Sequence, residues 1–153
     1  MAEIVSQSLN QDLLPLLQTE RLATLSTVGV DGVPNVNAIS WVYAPNPSRI
    51  YLAVNSRSLV LENIRNHQQV VLTVFGSGSI FAIVGKAKVK VERMDGVPIK
   101  LSMIQITIEE IRDVMFYGAS LTACPKFEKT YDAHVAEQLD HLVLEALKNA
   151  ESI

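Results

Sequence analysis

The stretch AVNSRSLVLENIRNH, residues 53–67, begins as an apolar strand and ends as an amphipathic helix. Between the two lies a run of hydrogen-bonding side chains: Asn55, Ser56, Arg57 and Ser58. The first backbone N–H groups of a helix have no partner within the helix, so such side chains either cap it or help it to hold an anion. The helix is predicted over residues 58–67, and a strand leads directly into it. This strand–loop–helix unit is the centre of the prediction.

Apolar and alternating runs on both sides of this unit predict strands. Six are expected: residues 22–28, 36–43, 49–54, 70–75, 80–92 and 103–114. Asp31-Gly32 is a strong hairpin signal between the first two. Since most connections are short, the sheet is expected to be mainly antiparallel. Such a sheet needs closed or covered edges, and a small barrel provides them.

Helical spacing is found near both ends of the chain. Leu9, Leu13, Leu16 and Leu17 predict an N-terminal helix over residues 8–18, whose start Pro15 leaves open. A second apolar stripe predicts a C-terminal helix over about residues 126–150. Its members are Val135, Leu139, Leu142 and Ala146. With the barrel at about residues 21–115, the chain is expected to form a single domain over residues 1–153.

Composition excludes several classes of function. The net charge is −3 and no basic run is present, so no nucleic-acid partner is expected. No apolar run reaches the roughly 18–20 residues that cross a bilayer, and the first residues are not expected to act as a signal peptide. We therefore expect a soluble, cytoplasmic protein without a membrane partner. His134 and His141 lie seven residues apart, nearly two helical turns, so no metal site is predicted.

The region from Leu22 to Asp113 resembles the pyridoxamine 5′-phosphate oxidase-like family of FMN-binding split barrels. Four segments carry the resemblance, in order: the hairpin ATLSTVGVDGVPNV, the strand AISWVY, the unit YLAVNSRSLVLENIRN and the alternating strand that follows. The resemblance implies a mainly β fold, a six-stranded antiparallel split β-barrel with peripheral helices, and FMN as the cofactor. Members are typically homodimers with flavin at the subunit interface, so a partner subunit would complete the pocket.

The resemblance also implies cofactor-binding residues. In the family, the loop before the helix holds the FMN phosphate, and the candidates here are Asn55, Ser56, Arg57, Ser58 and Asn63. Val60 falls where the family usually has a phosphate-binding lysine, and the guanidinium of Arg57 is the candidate replacement. The flavin ring runs along the strand that matches NAISWVY, which adds Asn37, Ser40 and Trp41.

The sequence leaves several functions open. The first is a flavin-dependent oxidoreductase of unknown substrate, in which the protein positions FMN and FMN carries the redox chemistry. The second is a non-catalytic flavin-binding or flavin-sensing dimer, or a member that lost its cofactor when Val60 replaced lysine. Haem handling on the same barrel is a weaker third. No catalytic residue is predicted. Ser58 also suits an ordinary helix cap, and Trp41 a core or interface aromatic.

Overall fold

The computed structural model describes residues 3–153. It contains eight strands: β1 (Glu3–Ser6), β2 (Ala23–Val28), β3 (Pro34–Ile39), β4 (Val42–Asn46), β5 (Arg49–Asn55), β6 (Gln69–Gly76), β7 (Ser79–Val91) and β8 (Leu101–Asp113). The two α-helices are α1 (Leu59–Asn66) and α2 (Ala133–Lys148). Short 3-10 helices cover Pro15–Gln18 and Ala150–Ser152. No helix among the described residues is long and apolar enough to cross a membrane.

The strands form one antiparallel sheet, as predicted, in the order β3-β2-β6-β7-β8-β5-β4, with β1 also paired to β8. The predicted count of six strands was wrong, because β1 was missed and the expected strand 36–43 is divided into β3 and β4. The division lies at Ser40 and Trp41. The Ser40 carbonyl accepts from the Val42 N–H (3.1 Å), and the Trp41 carbonyl accepts from the Ala53 N–H (3.1 Å).

The break at Ser40 and Trp41 positions the candidate site. β3 and β4 occupy opposite ends of the strand order, yet only these two residues join them in the chain. The two ends of the sheet therefore approach each other here, which curves the sheet into a barrel whose wall is split at this point. β5 and α1 continue from β4, so the strand–loop–helix unit lies beside the split.

The core has two parts because β5 is buried on both faces. One face contributes to the barrel interior, with residues such as Leu25, Leu72, Ile83 and Ile104. The other face lies beneath α2, where Tyr51 and Ala53 pack with Leu139, Val143 and Leu147. The second cluster covers the outside of the barrel at β5, which is a central strand because it pairs with both β8 and β4.

The expected N-terminal helix over residues 8–18 was wrong for most of its length. Only Pro15–Gln18 is helical, as a 3-10 turn. Before it, the Asn10 side-chain oxygen accepts from the backbone N–H groups of Asp12 (3.0 Å) and Leu13 (2.9 Å), which favours a turn over a helix. The leucine pattern was still informative, because Leu9, Leu13 and Leu17 are all buried.

The expected C-terminal helix over about residues 126–150 begins later than predicted. Asp132 caps α2 by accepting from the Val135 N–H at 3.0 Å, and the residues before it are not helical. The buried stripe also differs: Ala136, Leu139, Val143 and Leu147. Val135 and Leu142 are 51% and 41% exposed. Two neighbouring faces of this helix are apolar, and its periodicity alone does not decide which one packs on the sheet.

The last turn of the chain is attached to the sheet through Tyr51. This side chain is fully buried, and its hydroxyl contacts Glu151 and the Gln105 side-chain oxygen (3.3 Å). Arg49 donates to the same Glu151 carboxylate at 3.1 Å. Burial, followed by the Glu151 contact, raises the pKa of Tyr51. Polar contacts of Glu151 with Tyr51 and Arg49 therefore attach the end of the chain to the second core cluster.

Candidate functional site

A cavity of about 410 Å³ lies at the split, where β3 and β5 end and α1 begins. Its size is within the roughly 300–1,000 Å³ that is usual for small-molecule sites. The wall combines apolar and polar side chains: Asn37, Ala38, Ile39, Ser40, Trp41, Ala53, Val54, Asn55, Ser58, Val60, Ile99, Leu101, Lys129 and Tyr131. The cavity therefore has the size and mixed lining of a ligand site.

The cavity brings together residues from both predicted groups. Those that line it are Asn37, Ser40, Trp41, Asn55 and Ser58. Ser56, Arg57 and Asn63 are not part of the lining. Asn63 is fully buried, and its amide nitrogen donates to the Thr27 hydroxyl at 2.9 Å. It ties α1 to β2.

The loop before α1 makes its hydrogen bonds internally. The Asn55 side-chain oxygen accepts from the Arg57 N–H (2.9 Å), and its carbonyl accepts from the Ser58 N–H (2.9 Å). The Ser58 hydroxyl accepts from the Val60 N–H (3.2 Å), so Ser58 is the N-cap of α1. The loop is thus a compact capping structure.

Ser56 is bonded on the other side of the same loop. Its N–H donates to the Lys100 carbonyl at 3.0 Å. The Ser102 hydroxyl donates to the Glu92 carbonyl (2.6 Å) and lies 2.9 Å from the Ser56 hydroxyl. Because the Ser102 hydroxyl already donates its hydrogen to Glu92, the Ser56 hydroxyl donates to the Ser102 oxygen.

Arg57 and Val60 bear on phosphate binding. The Arg57 side chain is exposed, and it has no ion-pair partner among residues 3–153. Val60 is 1% exposed and belongs to the barrel core. The position that carries lysine in the resembled family is therefore a core position here, and the nearby guanidinium lies outside the cavity lining.

A charged cluster lies behind another part of the wall, where Lys129 is its only member in the lining. Lys129 donates to Glu20 at 2.6 Å and to Asp140 at 2.9 Å, and all three side chains are mostly buried. Burial by itself lowers the pKa of Lys129, but hydrogen bonds and charges from Glu20 and Asp140 outweigh it and raise that pKa overall. One cation facing two carboxylates leaves the cluster with a net negative charge.

This cluster fixes the two residues at the split. The Ser40 hydroxyl donates to Glu20 at 2.6 Å, and the Trp41 indole N–H donates to Asp140 at 2.7 Å. The Lys129 ammonium also lies 5.3 Å from the centre of the Trp41 ring, within cation–π range. Trp41, the only tryptophan of the chain, is therefore held in one orientation beside the cavity.

Sequence reasoning missed the charged cluster. Glu20 precedes the first barrel strand, Lys129 lies in the irregular segment before α2, and Asp140 lies within α2. No spacing rule links positions so far apart. The available signal was weak: Lys129 alternates with Phe127 and Tyr131, which predicts at most a half-buried lysine.

The residues fit one part of FMN and not the other. The ring system suits a cavity bounded by Trp41, Ile39 and Leu101, with the amide of Asn37 available for its polar edge. The phosphate meets no free cation, because Lys129, the one basic residue in the lining, is already neutralised by two carboxylates. The described part of the chain therefore matches a flavin ring better than a phosphate dianion.

A metal ion is a separate question. Among residues 3–153, no group of three or more histidine, cysteine or carboxylate side chains is arranged to hold one.

Comparison with solved structures supports the fold assignment. A candidate pyridoxamine 5′-phosphate oxidase from Lactobacillus delbrueckii matches with a TM-score of 0.62 at 21% identity, covering 72% of this chain and 98% of that one. HupZ of Group A Streptococcus matches with a TM-score of 0.58 at 16% identity, covering 74% and 98%. At these identities the likeness shows the fold.

Sequence comparison shows the family. No curated protein matches the chain. The family model described as pyridoxamine 5′-phosphate oxidase matches residues 9–115, which include β2 to β8 and the whole strand–loop–helix unit. The chain therefore belongs to the pyridoxamine 5′-phosphate oxidase family, whose split-barrel members commonly bind flavin.

Proposed function

We propose that this chain binds a flavin in the cavity at the split, with FMN as the candidate cofactor. One observation carries the proposal: residues predicted separately from the strand and from the helix start line a single cavity, among them Asn37, Trp41 and Ser58. The ring would lie beside Trp41, whose orientation is fixed by Asp140 and Lys129. When bound, flavin supplies hydride or electron chemistry, which supports a flavin-dependent oxidoreductase acting on a small molecule.

A non-catalytic flavin-binding protein is the second candidate. The cavity lining favours this second candidate in one respect. Among the described residues, only two side chains of the lining are ionisable, those of Lys129 and Tyr131. Lys129 is bound by two carboxylates, which leaves it poorly suited to exchange protons with a substrate. A storage or sensing role needs no such exchange.

The proposal is tested by titrating the purified chain with FMN while following Trp41 fluorescence. Because Trp41 is the only tryptophan and borders the cavity, a flavin bound there is expected to quench most of the emission. Ala38→Phe, which narrows the cavity, should weaken binding at least tenfold. Ala119→Phe makes the same change at an exposed position outside the cavity and should leave binding unchanged.

Two results would decide between the candidates. Turnover of bound flavin with NADH or NADPH would favour the oxidoreductase, whereas stoichiometric binding without reduction would favour the carrier. If neither FMN nor riboflavin quenches Trp41 up to the solubility limit of riboflavin, after correction for flavin absorption, the proposed function is wrong and a family member that has lost its cofactor is the better description.

We also propose that the chain is a homodimer whose partner subunit completes the cavity. β3 ends the strand order and is largely exposed, so its outer backbone groups are open to pairing. Apolar side chains continue this surface around the cavity rim: Val36, Leu59, Ile99 and Tyr131, which are 62%, 52%, 41% and 47% exposed. A second copy of the chain would cover both features.

The dimer is tested by light scattering after gel filtration. Val36→Lys places a charge on the exposed edge strand and should convert a dimer into a monomer. Val114→Lys is the matched control, since Val114 is 39% exposed and does not line the cavity. A wild-type chain that is monomeric at high micromolar concentration would contradict the proposal.

A further inference from the structure

We infer that the part of the cavity formed by a single chain recognises a flat tricyclic ring and makes no use of a terminal phosphate, so that riboflavin binds as tightly as FMN. The inference rests on the proposed flavin site and specifies its ligand class: a neutral, ring-centred flavin. Three separate observations carry it, and each concerns a contact that a phosphate would need.

The first observation is the absence of an available cation in the described lining. A phosphate monoester carries about −1.5 to −2 charges at neutral pH, and proteins usually meet it with arginine or lysine. Lys129 is the only basic residue in the lining, and its ammonium contacts two carboxylates within 3 Å. A phosphate placed beside it would approach Glu20 and Asp140 as well, so repulsion offsets the attraction.

The second observation concerns the start of α1, where an anion would ordinarily bind. An anion site there needs free N–H groups. Of the six N–H groups from Ser56 to Leu61, only that of Leu59 lacks an acceptor among the described residues, and the other five are bonded within the protein. The Ser56 hydroxyl is directed to Ser102. Phosphate could gain these donors only by displacing existing hydrogen bonds, so its net gain over water is small.

The third observation is the chemistry of the wall next to α1. The apolar side chains of Val60, Leu101 and Ile99 share this part of the lining with Asn55 and Ser58. An apolar wall removes water from a phosphate without replacing its hydrogen bonds, and this is unfavourable. The same wall suits the edge of an apolar ring.

The test compares FMN and riboflavin in parallel titrations of the intact chain, followed by Trp41 quenching. We expect dissociation constants within about threefold of each other. A site with one charge-assisted contact to phosphate would favour FMN by tenfold or more, and that result would overturn the inference. If neither ligand binds, the proposed function itself fails, which is a different outcome.

Two variants sharpen the test. Arg57→Gln should leave the FMN-to-riboflavin ratio unchanged, as should its control Lys86→Gln, which removes an exposed charge on β7. A fivefold loss for FMN alone in Arg57→Gln would overturn the inference. Ile99→Lys introduces a cation on the apolar wall and should create a preference for FMN of at least threefold, whereas Val114→Lys should not. An unchanged ratio in Ile99→Lys would contradict the role assigned to that wall.

Discussion

The two walls of the cavity are built in opposite ways. The wall at the start of α1 contains Asn55 and Ser58, which belong to a short loop, residues 55–58, whose hydrogen bonds mostly link near neighbours and carry no buried charge. A second wall contains Lys129, which Glu20 and Asp140 hold from outside the lining, so three distant segments bring mostly buried charges together. A local wall depends on helix and turn preferences, whereas a non-local wall forms only when the whole fold does. Substitutions in the two walls should therefore have different consequences.

The largest effect is expected from Lys129→Met. It removes the cation between Glu20 and Asp140 and leaves two carboxylates facing each other in a mostly buried place. Since the side chains keep some solvent contact, we expect a loss of about 2 kcal/mol in the free energy of unfolding, below the range for fully buried pairs. Urea denaturation measures it, and Lys126→Met, at an exposed position, is the control.

The same variant should change the emission of Trp41, because both the ring contact and the orientation of Asp140 depend on Lys129. A variant with wild-type stability and an unchanged emission spectrum would show that this wall is held by packing alone.

A smaller effect is expected from Ser58→Ala, which removes the cap of α1. Loss of an N-cap costs about 1 kcal/mol in the free energy of unfolding. Asp132→Ala removes the corresponding cap of α2 and should cost a similar amount, because each side chain accepts one N–H bond of the same kind. Chemical denaturation of each variant measures its loss in the free energy of unfolding. A loss above 3 kcal/mol for Ser58 alone would indicate that this wall is coupled to the rest of the fold.

The smallest effect is expected as pH rises. The pKa of Lys129 is raised in the folded chain, so its contribution to stability is complete below the unfolded lysine value, about 10.4. It is then lost as pH rises through the folded pKa. Tyr51 also has a raised pKa and loses its contribution above its unfolded value of about 10. Unfolding free energies measured between pH 9 and pH 11 should therefore fall more steeply for wild type than for Lys129→Met. Parallel curves would assign the alkaline loss to Tyr51.

Much of the fold could be predicted from the sequence because its signals are local. Alternation and the Asp31-Gly32 turn identified the antiparallel barrel, and the leucines near the N-terminus identified buried positions even where the helix was wrong. The division between β3 and β4 could not be predicted, because Ser40 and Trp41 continue the alternation of side chains. The break arises from backbone bonds to Arg21 and Ala53, which come from elsewhere in the fold.

In the candidate site, too, positions marked by local sequence signals could be predicted and those that depend on distant contacts could not. Asn55 and Ser58 could be placed from the strand–loop–helix pattern, and Asn37 and Trp41 from the resemblance. That Arg57 lies outside the cavity lining could not be foreseen, because one residue of shift in a tight loop reverses the direction of a side chain. Lys129 could not be foreseen either, since nothing near it in the sequence marks its partners. Cytoplasmic location stays a prediction.

The pairing of β1 with β8 has a consequence for biosynthesis. Glu3 and Ile4 lie opposite Asp113 and Arg112, so two segments more than a hundred positions apart complete this part of the sheet. The ribosome releases the earlier segment many seconds before the later one exists, at roughly 5–20 residues per second. During that interval the nascent β1 has no template, and contacts of such long range form slowly. β1 can therefore join the sheet only late in translation or after it.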